Sequence, residues 1–382
     1  MDERREGPIR VAVLGAGGLG KAAARIIGMK WELRLAAICD SRGIVTSAEG
    51  LNGELVAGIA GDLVDGYRAC LSSRGRDRQA CQEGGDGAGG VAVATEVEAR
   101  PSTALGTVLN GPRLQAGRVE GRRCEDPIGE IIATAGAFDA VLVALPNLPN
   151  DFIPGVMERF ARAGTSLVFV DVLKRTRAVE QMVALDPIVK RARSVVLTGC
   201  GATPGILAAA AVLAAQSFIE VEKVDIWWGV GIANWDAHKA TIREDIAHLP
   251  GYTVERAKAM TDAEVEALLA RTNGRLELHH MEHADDLLLQ RVGVVESLDQ
   301  VEVGGVIDTR HPKKPVSTTM TLTGTTFEGK RSSHTFILGD ETTMAANVIG
   351  PALGYLKRGM WLKARGLFGV FGCTEFLPMV VR

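Results

Sequence analysis

Residues 11–28 read VAVLGAGGLGKAAARIIG, and this stretch decides the fold of the amino-terminal half of the chain. The apolar run Val11–Gly15 predicts a buried parallel strand, and Gly15–Gly20 continues it with the spacing G-x-G-x-x-G. The first glycine permits a tight turn, the second lets the backbone approach a pyrophosphate, and the third lets the following helix lie close to the sheet. Because the helix start also supplies unpaired N–H groups, the stretch predicts a dinucleotide site.

A carboxylate follows the second strand of this unit. The apolar run Leu33–Cys39 ends at Asp40, about 20 residues beyond Gly20, where an acid can accept hydrogen bonds from the adenosine ribose. Asp40 should repel a 2′-phosphate, whereas Arg42 can attract one, so the sequence leaves both NAD and NADP open. We expect a slight preference for NAD.

A second predicted strand borders the reactive end of the cofactor. The run Ala140–Leu145 predicts a strand, and the turn Pro146–Asn150 follows it. Ligands of parallel sheets bind beyond the carboxyl ends of the strands, so this turn is expected beside the nicotinamide. The predicted cofactor contacts are Gly15, Ala16, Gly17, Gly18, Leu19, Gly20, Asp40, Ser41, Arg42, Leu145, Pro146 and Asn147.

Three segments divide the chain. Residues 1–200 are expected to form the dinucleotide-binding domain. Within them, the glycine- and arginine-rich residues 68–126 predict an insertion that is flexible or a small surface lobe, with a lid over the substrate as the functional alternative. Residues 201–338 predict a substrate domain with a mixed sheet, and residues 339–382 a helical segment that can return to the first domain. The strands predicted for the second domain are Val221–Trp228, Leu276–Met281, Gln290–Val294, Glu302–Ile307, Ser317–Leu322 and His334–Leu338.

Composition and charge argue against several classes of protein. The 382-residue chain has a net charge of −3 and no basic stripe interleaved with aromatics, which argues against a nucleic-acid partner. Its longest apolar stretch, Ile206–Gln216, is too short to cross a bilayer, and the charged amino terminus is no secretory signal. The six cysteines form no C-x-x-C pair, which favours reduced thiols in the cytoplasm. We expect a cytoplasmic homo-oligomer that acts on a small molecule and has no membrane partner.

Two family resemblances bear on these expectations. The glycine motif, ALPN at Ala144–Asn147 and above all GCGATPG at Gly199–Gly205 resemble the saccharopine dehydrogenase-like group of amino-acid oxidoreductases. In that group a similar G-x-x-P-G bend joins the nucleotide domain to the substrate domain, so we expect Gly199–Gly205 to be the hinge. The resemblance implies an α/β fold: a Rossmann doubly wound parallel sheet with a second α+β domain for substrate binding and dimerisation.

The second resemblance is to the nucleotide domain of homoserine dehydrogenases. CDSRGIVTSAEGLN at Cys39–Asn52 and AGTSLVFVDVLKRT at Ala163–Thr176 are similar to it. The Asn-Gly-Thr motif of that family, and the acid and lysine helix that follow it, are not found after Gly201. Both families imply hydride transfer with a nicotinamide cofactor, and the saccharopine-like group implies chemistry at a C–N bond of an amino-acid-like substrate.

Hydride transfer needs a group that exchanges a proton at the reacting atom. Asp171 and Lys174 follow the predicted strand Leu167–Val170 and are candidates for proton transfer or carboxylate binding, with a surface ion pair as the alternative. His238 is the best single catalytic candidate, because its imidazole titrates near neutral pH. It belongs to a group with cations suited to carboxylates, for which a solvated amphipathic helix is the alternative: Trp235, Asp236, Lys239 and Arg243.

A metal site is not expected. The segment that holds His279, His280, Glu282, His283 and Asp285 contains suitable ligand types. If it is a strand, however, His280 and Glu282 share one face while His279 lies on the other, which separates the ligands.

Three functions remain open on the sequence. The first is an NAD(P)-dependent oxidoreductase that acts on a small amino-acid-like or keto-acid metabolite. The second is a homoserine dehydrogenase-like enzyme, and the third is a non-catalytic NAD(P)-binding sensor or scaffold.

Overall fold

Two β-sheets organise the described part of the chain, one of eight strands and one of five. The computed structural model describes residues 7–70, 119–147, 149–232, 235, 239–339 and 344–382. Most of the predicted insertion, residues 71–118, and the candidates Asp236 and His238 therefore lie outside the described residues.

The strands and helices alternate along the first half of the chain, as the sequence predicts. The strands are β1 Ile9–Leu14, β2 Leu33–Cys39, β3 Gly43–Ser47, β4 Val119–Arg123, β5 Ala140–Val143, β6 Val168–Asp171, β7 Val195–Thr198, β8 Phe218–Gly231, β9 Arg275–Leu278, β10 Val301–Asp308, β11 Thr318–Thr326, β12 Arg331–Leu338 and β13 Gly369–Gly372. The helices are α1 Gly18–Gly28, α2 Gly53–Gly58, α3 residues 63–70, α4 Pro127–Ala133, α5 Phe152–Arg162, α6 Thr176–Ala184, α7 Asp186–Arg191, α8 Ile206–Ala215, α9 Lys239–Ile246, α10 Val254–Ala259, α11 Asp262–Arg271, α12 Asp285–Arg291 and α13 Met344–Ala364, with short 3-10 turns at Ala135–Ala137 and Leu298–Gln300.

The larger sheet has the strand order β13-β7-β6-β5-β1-β2-β3-β4. Six neighbouring strands, from β13 to β2, are parallel, and β3 and β4 extend the sheet in antiparallel pairs. The apolar runs in β1, β5 and β7 are buried throughout, because helices cover both faces of the parallel sheet. The strand order reverses between β1 and β5, and this is the point at which such sheets bind ligands. The expected Rossmann class is confirmed.

The smaller sheet has the order β12-β11-β8-β10-β9, with β8 and β10 parallel and the other pairs antiparallel. The long strand β8 follows directly after α8, which starts at the predicted bend Gly199–Gly205. On one side of this sheet, helices α9 to α11 enclose a second apolar core. The mixed second domain expected from the sequence is therefore present.

The last part of the chain belongs structurally to the larger sheet. Helix α13 packs against β5, β6, β7 and α1, and β13 pairs in parallel with β7. The buried Tyr355 hydroxyl donates to the Cys373 carbonyl at 2.8 Å, which ties α13 to the residues after β13. Residues 119–126, which fall within the predicted insertion, also contribute β4 to this sheet.

Two predicted elements are wrong. Gln290–Val294, predicted as a strand, is the end of α12 and the turn after it. Asp285 and Asp286 in the first turn and Arg291 in the last favour a helix, and Gly293 follows it with a positive φ of 74°. The sequence of Ala178–Ala192 predicts a single helix, but this part of the chain forms two helices, α6 and α7, because Pro187 stands in the first turn of the second.

No helix within the described ranges is both long and apolar enough to cross a membrane.

Candidate active site

The glycine loop between β1 and α1 is crowded on the side of the sheet and open on the other. Gly15 has a φ of +103°, and a Cβ there would lie 2.4 Å from the Ala144 carbonyl oxygen. A Cβ at Gly20 would lie 1.8 Å from the Gly15 oxygen, whereas one at Gly17 or Gly18 would meet nothing within 4 Å. Helix α1 begins here without a side-chain cap. The open space and the free helix N–H groups fit a pyrophosphate.

The turn after β5 adjoins this loop. The Ala144 N–H donates to the Leu14 carbonyl at 2.8 Å, so the main chain leaves β5 directly beside the glycine loop. Leu145 and Asn147 are partly buried and Pro146 is exposed. These three predicted contacts therefore follow a strand that lies next to β1, at the carboxyl edge of the sheet.

Asp40 has a structural role in the turn between β2 and β3. Its Oδ1 accepts from the N–H groups of Arg42 at 2.8 Å and Gly43 at 3.0 Å, and its Oδ2 accepts from the Leu63 N–H at 3.2 Å. Ser41 and Arg42 are exposed. Any ribose contact of Asp40 would use the lone pairs that these three bonds leave over.

A second arginine lies at this end of the site. Arg123 of β4 pairs with Asp62 at 3.0 Å, and Arg42 lies 3.8 Å from the same Asp62 oxygen. Sequence reasoning missed Arg123, because it follows the long segment 71–118 and nothing local connects it with β2. Two cations thus stand near Asp40.

Asp171 is buried between the ends of β6 and β7, with 1% of its surface exposed. Its Oδ1 accepts from the Leu173 N–H at 3.0 Å, the Thr198 hydroxyl at 3.0 Å and the Gly199 N–H at 2.9 Å. Burial raises the pKa of Asp171 to about 6, against the opposing effect of these donors. Asp171 does not line the cavity described next, contrary to the expectation that it would reach the substrate; it holds two strand ends together.

A cavity of about 230 Å³ lies beyond the carboxyl ends of β6 and β7, between the two sheets. Its wall is mainly apolar with a few polar groups, as is usual for sites that bind small molecules. The lining residues are Lys174, Ala202, Thr203, Trp228, Gly229, Val230, Ile232, Ile242, Asp245, Met281, His283, Ile307, Lys314, Thr318, Leu338, Asn347 and Val348.

Lys174, predicted from the sequence, does line this cavity. Its Nζ lies 3.4 Å from Glu244 Oε1 and 3.7 Å from Asp245 Oδ1, and three quarters of its side chain is buried. Burial acts to lower the pKa of Lys174, but Asp245 and Glu244 outweigh it and hold the pKa above its ordinary value. Burial disfavours the charged form of Asp245 as well and raises the pKa of this carboxyl to about 6, although Lys174 opposes the shift. Near neutral pH the pair is an ammonium beside a carboxylate.

His283 also lines the cavity, and the sequence analysis considered it only as a possible metal ligand. Its Nδ1 lies 2.7 Å from Asp285 Oδ2, and that oxygen also accepts from the Thr203 hydroxyl at 2.7 Å. Asp285 is fully buried. An ionised Asp285 can only accept, and a His283 paired with it would hold its proton on Nδ1 and leave Nε2 for a bound molecule. The Ala284 N–H donates to the Lys174 carbonyl at 2.8 Å, so the segment before α12 is bonded to the loop after β6.

The described members of the other predicted group, Trp235, Lys239 and Arg243, do not line the cavity. His238 and Asp236 lie outside the described residues. Lys239 and Arg243 both pair with Asp262 of α11, and the Trp235 ring N–H donates to Glu266. These described members therefore attach α9 to α11, while Ile242 and Asp245 of the same helix line the cavity.

No cluster of three possible metal ligands occurs in the part of the chain that the structure describes. His279 and His280 are exposed at the end of β9, while His283 is buried beside Asp285.

Two glycine substitutions should separate the structural role of the loop from its binding role. Gly20→Ala brings its Cβ against the Gly15 carbonyl, so we expect a melting temperature lower by several degrees. Gly17→Ala has open space in the protein but would bring a methyl group against the pyrophosphate, so we expect an unchanged melting temperature and NAD(P) affinity reduced by about tenfold or more. Differential scanning fluorimetry and calorimetric titration measure the two effects. Equal cofactor affinity of Gly17→Ala and wild type would remove the pyrophosphate from this loop.

Asp171 should make stability depend on pH in a defined direction. The pKa of its carboxyl rises from 3.8 to about 6 on folding, so the folded state binds the proton more tightly. The free energy of unfolding should therefore fall as the pH rises through this interval, by roughly 3 kcal/mol for this group, and level off above it. Asp171→Asn keeps the Oδ1 acceptor and removes the titration.

The measurement is urea unfolding of wild type and Asp171→Asn across that interval, with the exposed Asp151→Asn as control. The free energy of unfolding of Asp171→Asn relative to wild type should increase with pH, whatever the pH-independent difference between the two proteins. A difference that does not change with pH would contradict the buried, proton-binding carboxyl.

Comparison with known proteins places the chain in a family. No family model matches it. Over 382 residues, which are 99% of this chain and 99% of the relative, it is 43% identical to (S)-8-amino-7-oxononanoate synthase BioU from Haloferax mediterranei. Two solved structures share its fold. DAP dehydrogenase of C. glutamicum in complex with DAP has a TM-score of 0.50 and 14% identity, over 96% of this chain and 93% of that one.

Saccharopine dehydrogenase (L-Glu forming) from Saccharomyces cerevisiae has a TM-score of 0.51 and 10% identity, over 96% of this chain and 94% of that one. The expected similarity to the saccharopine dehydrogenase-like group is thus confirmed for the fold. Since the identity to BioU extends over almost the whole of both chains, this protein belongs to the BioU family of enzymes.

Proposed function

We propose that this chain is an NAD(P)-dependent oxidoreductase that forms or consumes 8-amino-7-oxononanoate by hydride transfer at a C–N bond. The name of the BioU relative, a synthase, gives 8-amino-7-oxononanoate as the compound that the relative forms. The observation that carries the chemistry is the position of Lys174 and His283 on one cavity at the carboxyl edge of a dinucleotide-binding sheet.

The residues of the larger sheet would hold the cofactor. The glycine loop Gly15–Gly20 would bind the pyrophosphate, and the turn Leu145–Asn147 would border the nicotinamide. Asp40, with Arg42 and Arg123 nearby, would meet the adenosine ribose, and this mixture of charges leaves NAD and NADP as alternatives. When bound, the nicotinamide supplies or accepts the hydride.

The reaction class follows from the functional groups of 8-amino-7-oxononanoate. Its ketone at carbon 7 can condense with ammonia or a primary amine and lose water, which gives an imine. Addition of a hydride to the imine carbon and a proton to the nitrogen then gives an amine and the oxidised cofactor. The reverse reaction would take up water to hydrolyse the imine, and it would release the ketone, the amine and the reduced cofactor.

Lys174 and His283 would exchange the protons of this sequence. The Lys174 ammonium can hydrogen-bond the ketone oxygen and donate a proton as water leaves, and the Asp245 carboxylate can stabilise the ammonium when Lys174 regains a proton from solvent. His283 Nε2 can take a proton from the incoming nitrogen, because Asp285 stabilises the imidazolium that forms. Asp171 is a positioning residue in this proposal, because it holds the ends of β6 and β7.

Two of the alternatives are less well supported. A non-catalytic sensor is disfavoured by membership of an enzyme family. The described residues of the cavity include no contact that specifically favours a homoserine dehydrogenase-like activity.

His283→Gln should lower turnover of 8-amino-7-oxononanoate by about 10²- to 10⁴-fold, because Gln cannot exchange a proton near neutral pH. The affinity for NAD(P) should stay within about twofold, since His283 lies on the cavity and away from the glycine loop. Steady-state kinetics and cofactor titration measure the two quantities. The control is His279→Gln, an exposed histidine outside the cavity, which should keep full activity. Equal turnover of the two variants would remove His283 from the mechanism.

A further inference from the structure

A second lysine of the cavity wall, Lys314, forms no ion pair with any acid among the described residues. Lys314 lies in the loop between β10 and β11 and lines the cavity. Its Nζ donates to the main-chain carbonyl of Gly339 at 3.3 Å. Within the described ranges no carboxylate lies at ion-pair distance from Lys314, in contrast to Lys174, which faces both Glu244 and Asp245.

The surroundings of Lys314 favour an anionic ligand. Most of the cavity wall is apolar: Trp228, Val230, Ile232, Ile307, Leu338 and Val348. Lys314 is half-buried, and the Gly339 carbonyl is the one acceptor recorded for its ammonium among the described residues, so the other donors of the ammonium can bind a ligand. A carboxylate would supply both the charge and the acceptors. The apolar wall would cover an aliphatic chain attached to it.

Lys314 and the proposed catalytic residues reach the cavity at different positions along strand β10 of the smaller sheet. A Cβ at Gly231, the last residue of β8, would lie 2.3 Å from the Lys313 oxygen, so the Lys314 loop passes this strand end. Gly231 pairs with Asp308, whereas Met281, two residues before His283, bonds to Val303. Val303 and Asp308 are five residues apart on β10, about 16 Å at ~3.3 Å per residue.

We infer that Lys314 binds the terminal carboxylate of an aliphatic substrate whose reacting carbon lies at Lys174 and His283. This inference rests on the proposed function for the identity of that substrate. 8-Amino-7-oxononanoate has its ketone and amine at one end, a run of methylene groups, and a carboxylate at the other end. Lys314 would thus select for chains that end in a carboxylate and would fix which carbon reaches the catalytic residues.

The first test measures binding without any reaction. Nonanoate and its neutral analogue nonanamide are titrated calorimetrically into wild type, Lys314→Gln, Lys314→Arg and Lys313→Gln, all with NADP⁺ present. Wild type should prefer nonanoate by about 10- to 100-fold, as expected for a charge-assisted hydrogen bond. Lys314→Gln should lose the preference and Lys314→Arg should retain most of it. The exposed neighbour Lys313→Gln is the matched control and should behave as wild type.

Persistence of the preference in Lys314→Gln, or its absence in wild type, would overturn the inference. The second test uses 8-amino-7-oxononanoate and its methyl ester as substrates. Lys314→Gln should raise KM for the acid by about 10-fold or more, with little change for the ester and in kcat. If wild type turns over the acid but Lys314→Gln leaves its KM unchanged, the inference fails and the proposed function stands. If wild type shows no turnover while nonanoate binding depends on Lys314, only the proposed function fails.

Discussion

One buried carboxylate, Asp171, fixes the spacing of the two loops that reach the cavity. Its Oδ1 is shared by donors from the end of β6 and the end of β7, so the Lys174 loop and the Gly199–Gly205 bend leave the sheet together. The bend places the Thr203 hydroxyl on Asp285, and Asp285 in turn holds the imidazole of His283. All of these hydrogen bonds are buried except the part-buried one from Thr203 to Asp285. A buried group that loses its partner costs about 1–3 kcal/mol, so these bonds hold the two loops firmly in place.

The two sheets supply different parts of the proposed active site. The larger sheet provides the glycine loop and Lys174 along its carboxyl edge, and the smaller sheet provides the apolar wall opposite it. The three polar groups Lys174, Asp245 and His283 come from separate segments of the chain, and they meet only because the second domain folds over the end of the first. The cavity is therefore a product of the interface between the domains.

The sequence was sufficient for the part of the site that depends on local structure. The strand, glycine loop and helix from Ile9 to Gly28 are consecutive in the chain, and each of these elements has a recognisable sequence pattern. Lys174 could also be predicted, because it follows a buried strand of a parallel sheet. The sequence pattern does not predict that Asp171, three residues earlier, points into the sheet, because this orientation depends on hydrogen-bond donors at the end of β7.

The residues whose roles the sequence analysis missed depend on distant contacts. His283 and Asp285 have no local pattern that distinguishes them from the exposed His279 and His280, and their pairing is stabilised by Thr203 on the other side of the cavity. Arg123 reaches Asp62 only because β4 pairs with β3 after a long intervening segment. The helix α12 was predicted as a strand over Gln290–Val294, since short apolar runs do not distinguish the two.

The most direct test of this account is the fate of a labelled hydride. The protein is incubated with 8-amino-7-oxononanoate, an ammonium salt or primary amine, and NADPH or NADH carrying deuterium at the transferable position, and the products are analysed by mass spectrometry. The account predicts deuterium bound to carbon 7 of the nine-carbon chain. Reduced cofactor that is consumed without label on that carbon, or no consumption with either cofactor, would contradict it.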